Sequence, residues 1–160
     1  MFEKTDRFET FVLLIDAIHK SISKVKQDII AGTPIKSVHT MWIYELMKHP
    51  DGLTAAELAA KSRIDRSLVS REICELSHHG YVTIESTGKR RVYNSRITLT
   101  AEGEAIAQRI ASAAFDVQTV VGRDISKDEL VLFYSTLDKI FYNLAEVADR
   151  NDCVRGITKG

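Results

Sequence analysis

Four polar side chains, Arg66, Ser67, Ser70 and Arg71, alternate with Leu68, Val69, Ile73 and Leu76 at helical spacing. That spacing gathers the apolar residues on one face of a helix and leaves the polar four on the other, near its N-terminal end. A guanidinium pairs bidentately with the edge of a guanine, and a serine hydroxyl reaches a base or a phosphate. Further along, Lys89, Arg90 and Arg91 follow Gly88 between two segments of alternating polarity. Cations on such a tip meet phosphates, and one of them, Arg91 foremost, has the reach to enter a minor groove. Taken alone, each group reads equally as a solvated surface. Side by side, with consistent caps and turns around them, they point to duplex DNA.

The elements that must hold these groups follow from periodicity and punctuation. Phe8, Phe11, Val12, Ile15, Ile18, Ile22, Val25 and Ile29 form a long amphipathic stripe, which predicts a helix over 8–31 that stops at Gly32. Thr33 and Pro34 predict a new helix over 35–48, apolar over much of its circumference through Val38, Met41, Trp42, Ile43, Leu46 and Met47. His-Pro-Asp-Gly at 49–52 is a turn. Thr54-Ala-Ala-Glu57 is a capping box that opens a short helix to about Lys61, and Asp65 caps the next, which ends at Gly80. Two short helices three residues apart read as a helix-turn-helix. After Gly80 the period changes to two: Val82 and Ile84, then Ile97 and Leu99, predict a hairpin with the basic tip between them. Thr100 or a near neighbour caps a helix over 101–121 that is expected to bury Ile106, Ile110, Ala113, Val117 and Val120. Ser126-Lys-Asp-Glu129 is a second capping box. It opens a last helix striped by Leu130, Phe133, Leu137, Ile140, Leu144 and Val147 and widened by Tyr134 and Phe141.

The predicted fold class is therefore mainly α with a small β-hairpin wing (α+β), a winged helix-turn-helix with N- and C-terminal dimerisation helices. Residues 34–121 are expected to form the DNA-binding region with its connecting helix, residues 1–33 and 122–152 the dimerisation helices, and 153–160 a polar tail. A small head does not need every apolar stripe for its own core, and the spare surface suits a second copy of the chain. The residues assigned to that seam are Phe8, Phe11, Ile15, Leu130, Phe133, Leu137, Ile140, Phe141 and Leu144.

Formal net charge is zero, which by itself does not suggest a nucleic-acid partner. The distribution does: residues 61–96 hold eight basic and four acidic side chains, so a basic middle lies between acidic flanks. Apolar residues at 44 % and charged residues at 28 % fit a folded globular chain. With no apolar run of membrane length, an N-terminus unlike a signal peptide and two cysteines, Cys74 and Cys153, a cytoplasmic protein with no membrane partner is expected.

Three patterns in this order resemble the multiple-antibiotic-resistance regulator (MarR) family over nearly the whole chain, from the first helix to about Arg150. They are Leu53-Thr54-Ala-Ala-Glu57-Leu58-Ala59, then Asp65-Arg66-Ser67-Leu68-Val69-Ser70-Arg71 continuing through Leu76 to Gly80-Tyr81-Val82, and Leu99-Thr100-Ala-Glu-Gly103. The resemblance implies a homodimer on a near-palindromic operator, usually a repressor and often released by a small ligand. It also implies an effector crevice where the dimerisation helices meet the head. His39 and Trp42, one turn apart, with Met41 beside them, are candidates to line such a crevice for an aromatic or amphipathic effector, against the simpler reading of a hydrogen-bonded core histidine. Two positions depart from the family pattern. Lys89 stands where the family often has an Asp that orients the wing arginine, and Glu75 stands where it often has a basic residue.

Cys74 and His78 share a helix face, but no second ligand pair accompanies them, so no metal site and no cofactor are expected. No GxSxG, HExxH, Walker loop or GxGxxG occurs, so no enzyme is expected. The expected function is sequence-specific binding of double-stranded DNA by a ligand-responsive repressor, with Thr54, Arg66, Ser67, Ser70, Arg71, Lys89, Arg90 and Arg91 as the contacting residues. The rivals are a winged-helix protein-interaction module and a metal or redox sensor on the same helices.

Overall fold

The computed structural model describes residues 4–85 and 95–149, with the side chains of residues 4, 5 and 149 left aside. The chain forms two compact units, Met1–Asp116 and Val117–Gly160. In order along the chain come α1 (Lys4–Ile29), α2 (His39–Met47), α3 (Ala55–Ser62), α4 (Arg66–His78), β1 (Val82–Glu85), β2 (Arg96–Leu99), α5 (Ala101–Val121) and α6 (Lys127–Asp149). The fold is the expected one, mostly helical with one antiparallel hairpin. Among the described residues, no helix is long and apolar enough to cross a membrane.

The core of the first unit lies under the helix-turn-helix. Trp42, Ile43 and Leu46 of α2 are buried with Leu58 of α3 and Val69, Ile73 and Leu76 of α4. Val82 of β1, Ile97 of β2 and Ile106, Ala107 and Ile110 of α5 complete the cluster. Strand register pairs Val82 with Leu99 and Ile84 with Ile97. Leu53 joins the edge of the hairpin by exchanging both backbone hydrogen bonds with Ile97, at 3.1 and 2.9 Å. Arg96 Nη1 donates to the Gly52 carbonyl at 2.9 Å, so the base of the wing is fastened to the turn before α3.

The wing's exit is equally constrained. Thr100 accepts the Gly103 N–H on its hydroxyl at 3.0 Å and donates that hydroxyl to the Gly80 carbonyl. Gly103 packs so closely on the Tyr81 carbonyl that any Cβ there would collide with it. The Leu99–Gly103 pattern is thus a cap plus a close backbone approach.

Two expectations are corrected. The second helix starts at His39, not at 35, and Pro34 is outside it. Thr33 ends α1 rather than opening α2: its hydroxyl donates to the Ile30 carbonyl at 2.7 Å and accepts the Ile35 N–H at 3.3 Å. The Lys36 N–H donates to His39 Nδ1 at 3.2 Å, so His39 holds the entrance to α2, and Ser37 and Val38 form the turn that leads into it. In α5, Ile106 and Ile110 are buried as expected, but Val117 and Val120 are exposed, because the head's core ends with the first three turns of that helix.

In the second unit α6 opens with the expected capping box. Ser126 Oγ accepts the Glu129 N–H at 3.3 Å and Glu129 Oε2 accepts the Ser126 N–H at 2.8 Å. Among the described residues of α6 none is buried.

Candidate nucleic-acid interface

The helix-turn-helix is built by three local devices. Thr54 caps α3 with its hydroxyl on the Glu57 N–H, while the Glu57 carboxylate accepts the Thr54 N–H at 2.7 Å and the Thr54 hydroxyl at 2.9 Å. The backbone and hydroxyl donors of Thr54 hold the Glu57 carboxyl below its ordinary pKa. Arg63 then takes a left-handed conformation at the C-cap of α3, which turns the chain within three residues. Asp65 caps α4 by accepting the Ser67 and Leu68 N–H groups at 2.8 and 3.3 Å, and it also accepts the Ser67 hydroxyl. These donors, led by that hydroxyl, lower the Asp65 pKa. A fixed carboxylate at the N-terminus of α4 aligns with the helix dipole and settles where the first turn points.

On α4, Val69, Glu72, Ile73 and Leu76 are buried, while Arg66, Ser67, Ser70 and Arg71 are exposed. The four polar residues singled out by spacing therefore lie on the solvent side of the helix, close to its start. Arg71 is 73 % exposed, and the Glu72 Oε1 lies 3.9 Å from its Nε. The hydroxyl of Thr54 is committed to Glu57, and that of Ser67 donates to Asp65, which leaves Ser67 free to accept. Lys89, Arg90 and Arg91 fall outside the described residues, between the ends of β1 and β2. Arg96, part of the basic excess, is occupied with Gly52 and lies 3.5 Å from Glu57, so it serves the scaffold.

The buried Glu72 has no counterpart in the sequence expectations. Its Oε2 lies 2.9 Å from Lys36 Nζ and 3.0 Å from His39 Nε2. Lys36 also pairs with Glu75. These donors, Lys36 first, hold the Glu72 carboxyl below its ordinary pKa, while burial pushes His39 below its own. The nearest sequence signal was the lone His39 on an apolar helix.

His39, Met41 and Trp42 are divided between the core and the surface of α2. His39 and Trp42 are sealed in the core with rings 5.7 Å apart, whereas Met41 is 44 % exposed. A three-residue offset on a helix gathers the first two on one side, and Met41 belongs to another. A separate cleft of about 160 Å³ has Leu46, Met47, Pro50 and Leu99 as apolar walls, with His49, Thr98, Glu104 and Gln108 around them. Cys74 and His78 gather no third ligand among the described residues; the one trio of suitable groups found there is His39, Glu72 and Glu75. Of the dimerisation candidates, Phe8, Ile15, Phe133, Phe141 and Leu144 are exposed, and Phe11, Leu130, Leu137 and Ile140 are half-buried.

No protein-family model matches this sequence, and no curated protein does. Solved structures do match. A putative MarR family transcriptional regulator from Listeria monocytogenes, complexed with 26mer DNA, superposes with a TM-score of 0.70 at 17 % identity, covering 84 % of this chain and 89 % of that one. Staphylococcus aureus MarR in complex with salicylate and kanamycin gives 0.67 at 17 % identity, over 86 % and 92 %. A MarR family regulator from Silicibacter pomeroyi gives 0.61 at 22 % identity, over 81 % and 86 %. The chain has the winged helix-turn-helix fold of the solved MarR-type transcriptional regulators.

Proposed function

We propose that this chain is a MarR-family transcriptional regulator that binds a specific duplex operator as a homodimer. The observation that carries the reading is the start of α4. Arg66, Ser67, Ser70 and Arg71 stand exposed there on a turn fixed by Asp65, the end that a helix-turn-helix presents to base edges in the major groove. The similarity to a regulator complexed with DNA supports it. Arg71 reads a guanine and Ser70 a neighbouring base or phosphate, while Lys89, Arg90 and Arg91 of the wing meet phosphates or the minor groove. Thr54, whose N–H and hydroxyl are both held by Glu57, serves the interface by fixing the start of α3 at its edge.

Residues 1–33 and 122–152 supply the dimer seam, and the exposed apolar side chains of α1 and α6 support that division. Occupying a promoter represses transcription. A small amphipathic effector relieves repression by favouring a dimer whose head spacing no longer fits the operator, which requires differential affinity for the two spacings. Similar folds bind salicylate, kanamycin or heme, and this supports ligand response without naming the ligand.

The test is a titration against DNA from upstream of the protein's own coding region, with a scrambled duplex as control, across a salt series. Tight binding of two chains to the native fragment alone supports the proposal. Equal, weak, salt-sensitive binding to both duplexes leaves only a basic surface.

A further inference from the structure

Behind the exposed face of α4 lies a cluster of four charged or titratable groups. Lys36 Nζ sits between Glu72 and Glu75, so one ammonium bridges two carboxylates a turn apart on α4. His39, sealed in the core, places Nε2 3.0 Å from the same Glu72 oxygen. The nearest ligand atoms of His39, Glu72 and Glu75 all lie within 4.8 Å of one another, a spacing that would suit a metal ion. The hydrogen bonding argues otherwise. The Lys36 backbone N–H donates to His39 Nδ1, which must therefore accept. In a neutral imidazole the proton is then on Nε2, donated to Glu72, and no lone pair remains there for a metal. The cation at the centre of the cluster is the chain's own Lys36.

The position of the cluster gives it a consequence. Glu72 follows Arg71 directly. Its Oε2 takes two donors and its Oε1 stays 3.9 Å from Arg71 Nε, beyond hydrogen-bond length. Freed from Lys36, the Glu72 carboxylate is able to turn outward and engage Arg71 in a bidentate pair, the strongest contact open to a guanidinium. Two unneutralised carboxylates would also stand on a helix that approaches phosphates, where like charge repels. Resting on the DNA-binding reading above, we infer that Lys36 and His39 are positioning residues for DNA recognition: they hold and neutralise the acidic side chains of α4 so that Arg71 remains available to a base.

The test measures operator affinity across a salt series for wild type, Lys36→Met, Lys36→Arg and the double variant Lys36→Met/Glu72→Gln. Circular dichroism and melting temperature check the fold of each. Lys36→Met is expected to weaken operator binding about tenfold, within the range of coupled charge networks. Lys36→Arg is expected to bind like wild type. The salt slope stays unchanged in Lys36→Met, because no phosphate contact is lost, and adding Glu72→Gln restores affinity to within about threefold. In the DNA-free protein, the side-chain nitrogen resonance of Arg71 is expected to shift in Lys36→Met and to return in the double variant. Normal binding by Lys36→Met, a slope reduced by about one, or no rescue by Glu72→Gln overturns the inference; the second outcome would make Lys36 a direct phosphate contact. A wild type that treats operator and scrambled duplex alike removes the DNA reading and this inference together, and is distinguishable because it shows before any variant is compared.

Discussion

Helices α4 and α6 begin alike and end in opposite circumstances. Each is opened by a side-chain cap, Asp65 in one and the Ser126–Glu129 box in the other. Each carries large apolar residues three and four apart. On α4 that stripe is covered: Val69, Ile73 and Leu76 are buried in the core of the head. On α6 the stripe is at best half-covered: Phe133 is 52 % and Leu144 45 % exposed, Leu130, Leu137 and Ile140 are half-buried, and no described residue is buried. A buried Leu or Phe is worth roughly 1.5–3 kcal/mol over an exposed one, so a helix of this composition is stable in water when something covers it. The difference teaches that periodicity fixes which face must be covered but is silent on whether the cover comes from the same chain. For α6, the proposed cover is a second copy.

The largest effects test that contrast directly. Leu137→Asp places a charge in the proposed seam of α6, at a cost on the order of several kcal/mol to association. Sedimentation equilibrium should show a monomer whose head is still folded. The matching change on α4, Val69→Asp, should instead abolish cooperative unfolding of the head by circular dichroism. A Leu137→Asp protein that remains a dimer would put the seam elsewhere.

The next effect concerns the exposed side of α4. Arg71→Ala should cost roughly 1–3 kcal/mol in operator affinity and narrow the gap between operator and scrambled duplex, while fold and dimer are retained. Arg91→Ala, a wing contact in this reading, should weaken both duplexes together and lower the salt slope. Undiminished discrimination in Arg71→Ala would transfer base reading to Arg66 or Ser70.

A smaller effect follows from acidity. Burial lowers the His39 pKa below its ordinary value of 6.5, despite the opposing pull of Glu72. Below about pH 6.5 the unfolded chain therefore binds a proton that the native head refuses. The stabilisation is complete above that pH and falls as pH drops, by at most about 1.4 kcal/mol per pH unit. Glu72, with its pKa lowered by Lys36 and His39, adds a second loss in a more acidic window, below its ordinary value of 4.5. Urea midpoints at pH 7.5 and 5.5 should differ for the wild type and converge in His39→Gln. An undiminished difference in that variant would assign the acid sensitivity to another group.

Much of this was legible in the sequence, and the reasons are local. The Thr54–Glu57 and Ser126–Glu129 boxes, the Asp65 cap and the stop at Gly80, where φ is +79°, are decided within a few residues. So the helix-turn-helix and the polar face of α4 could be placed from spacing. What could not be read depends on partners far along the chain. Glu72 was an ordinary polar residue until Lys36, 36 residues earlier, came to cover it. The start of α2 is not legible from Thr33 and Pro34, because their turn is closed by Thr33 on Ile35 and the helix is entered instead through Lys36, whose N–H is held by His39 three residues on. The burial of His39 and Trp42 is likewise not legible, because an apolar helix wall and a buried core look the same in one dimension.

The finest comparison sets the two capping boxes against each other. Both satisfy the same donors with a hydroxyl and a glutamate three residues on. Removing an N-cap hydroxyl costs about 1 kcal/mol. In Thr54→Ala that loss falls on α3, whose Leu58 is fully buried in the head, so it should appear as a lower unfolding midpoint of the isolated head transition at any protein concentration. In Ser126→Ala it falls on α6, none of whose described side chains is fully buried within the chain, so the loss should appear as weaker self-association and a melting temperature that depends on concentration. If both variants instead lower the midpoint equally and independently of concentration, α6 is stabilised by its own chain and the proposed seam is wrong.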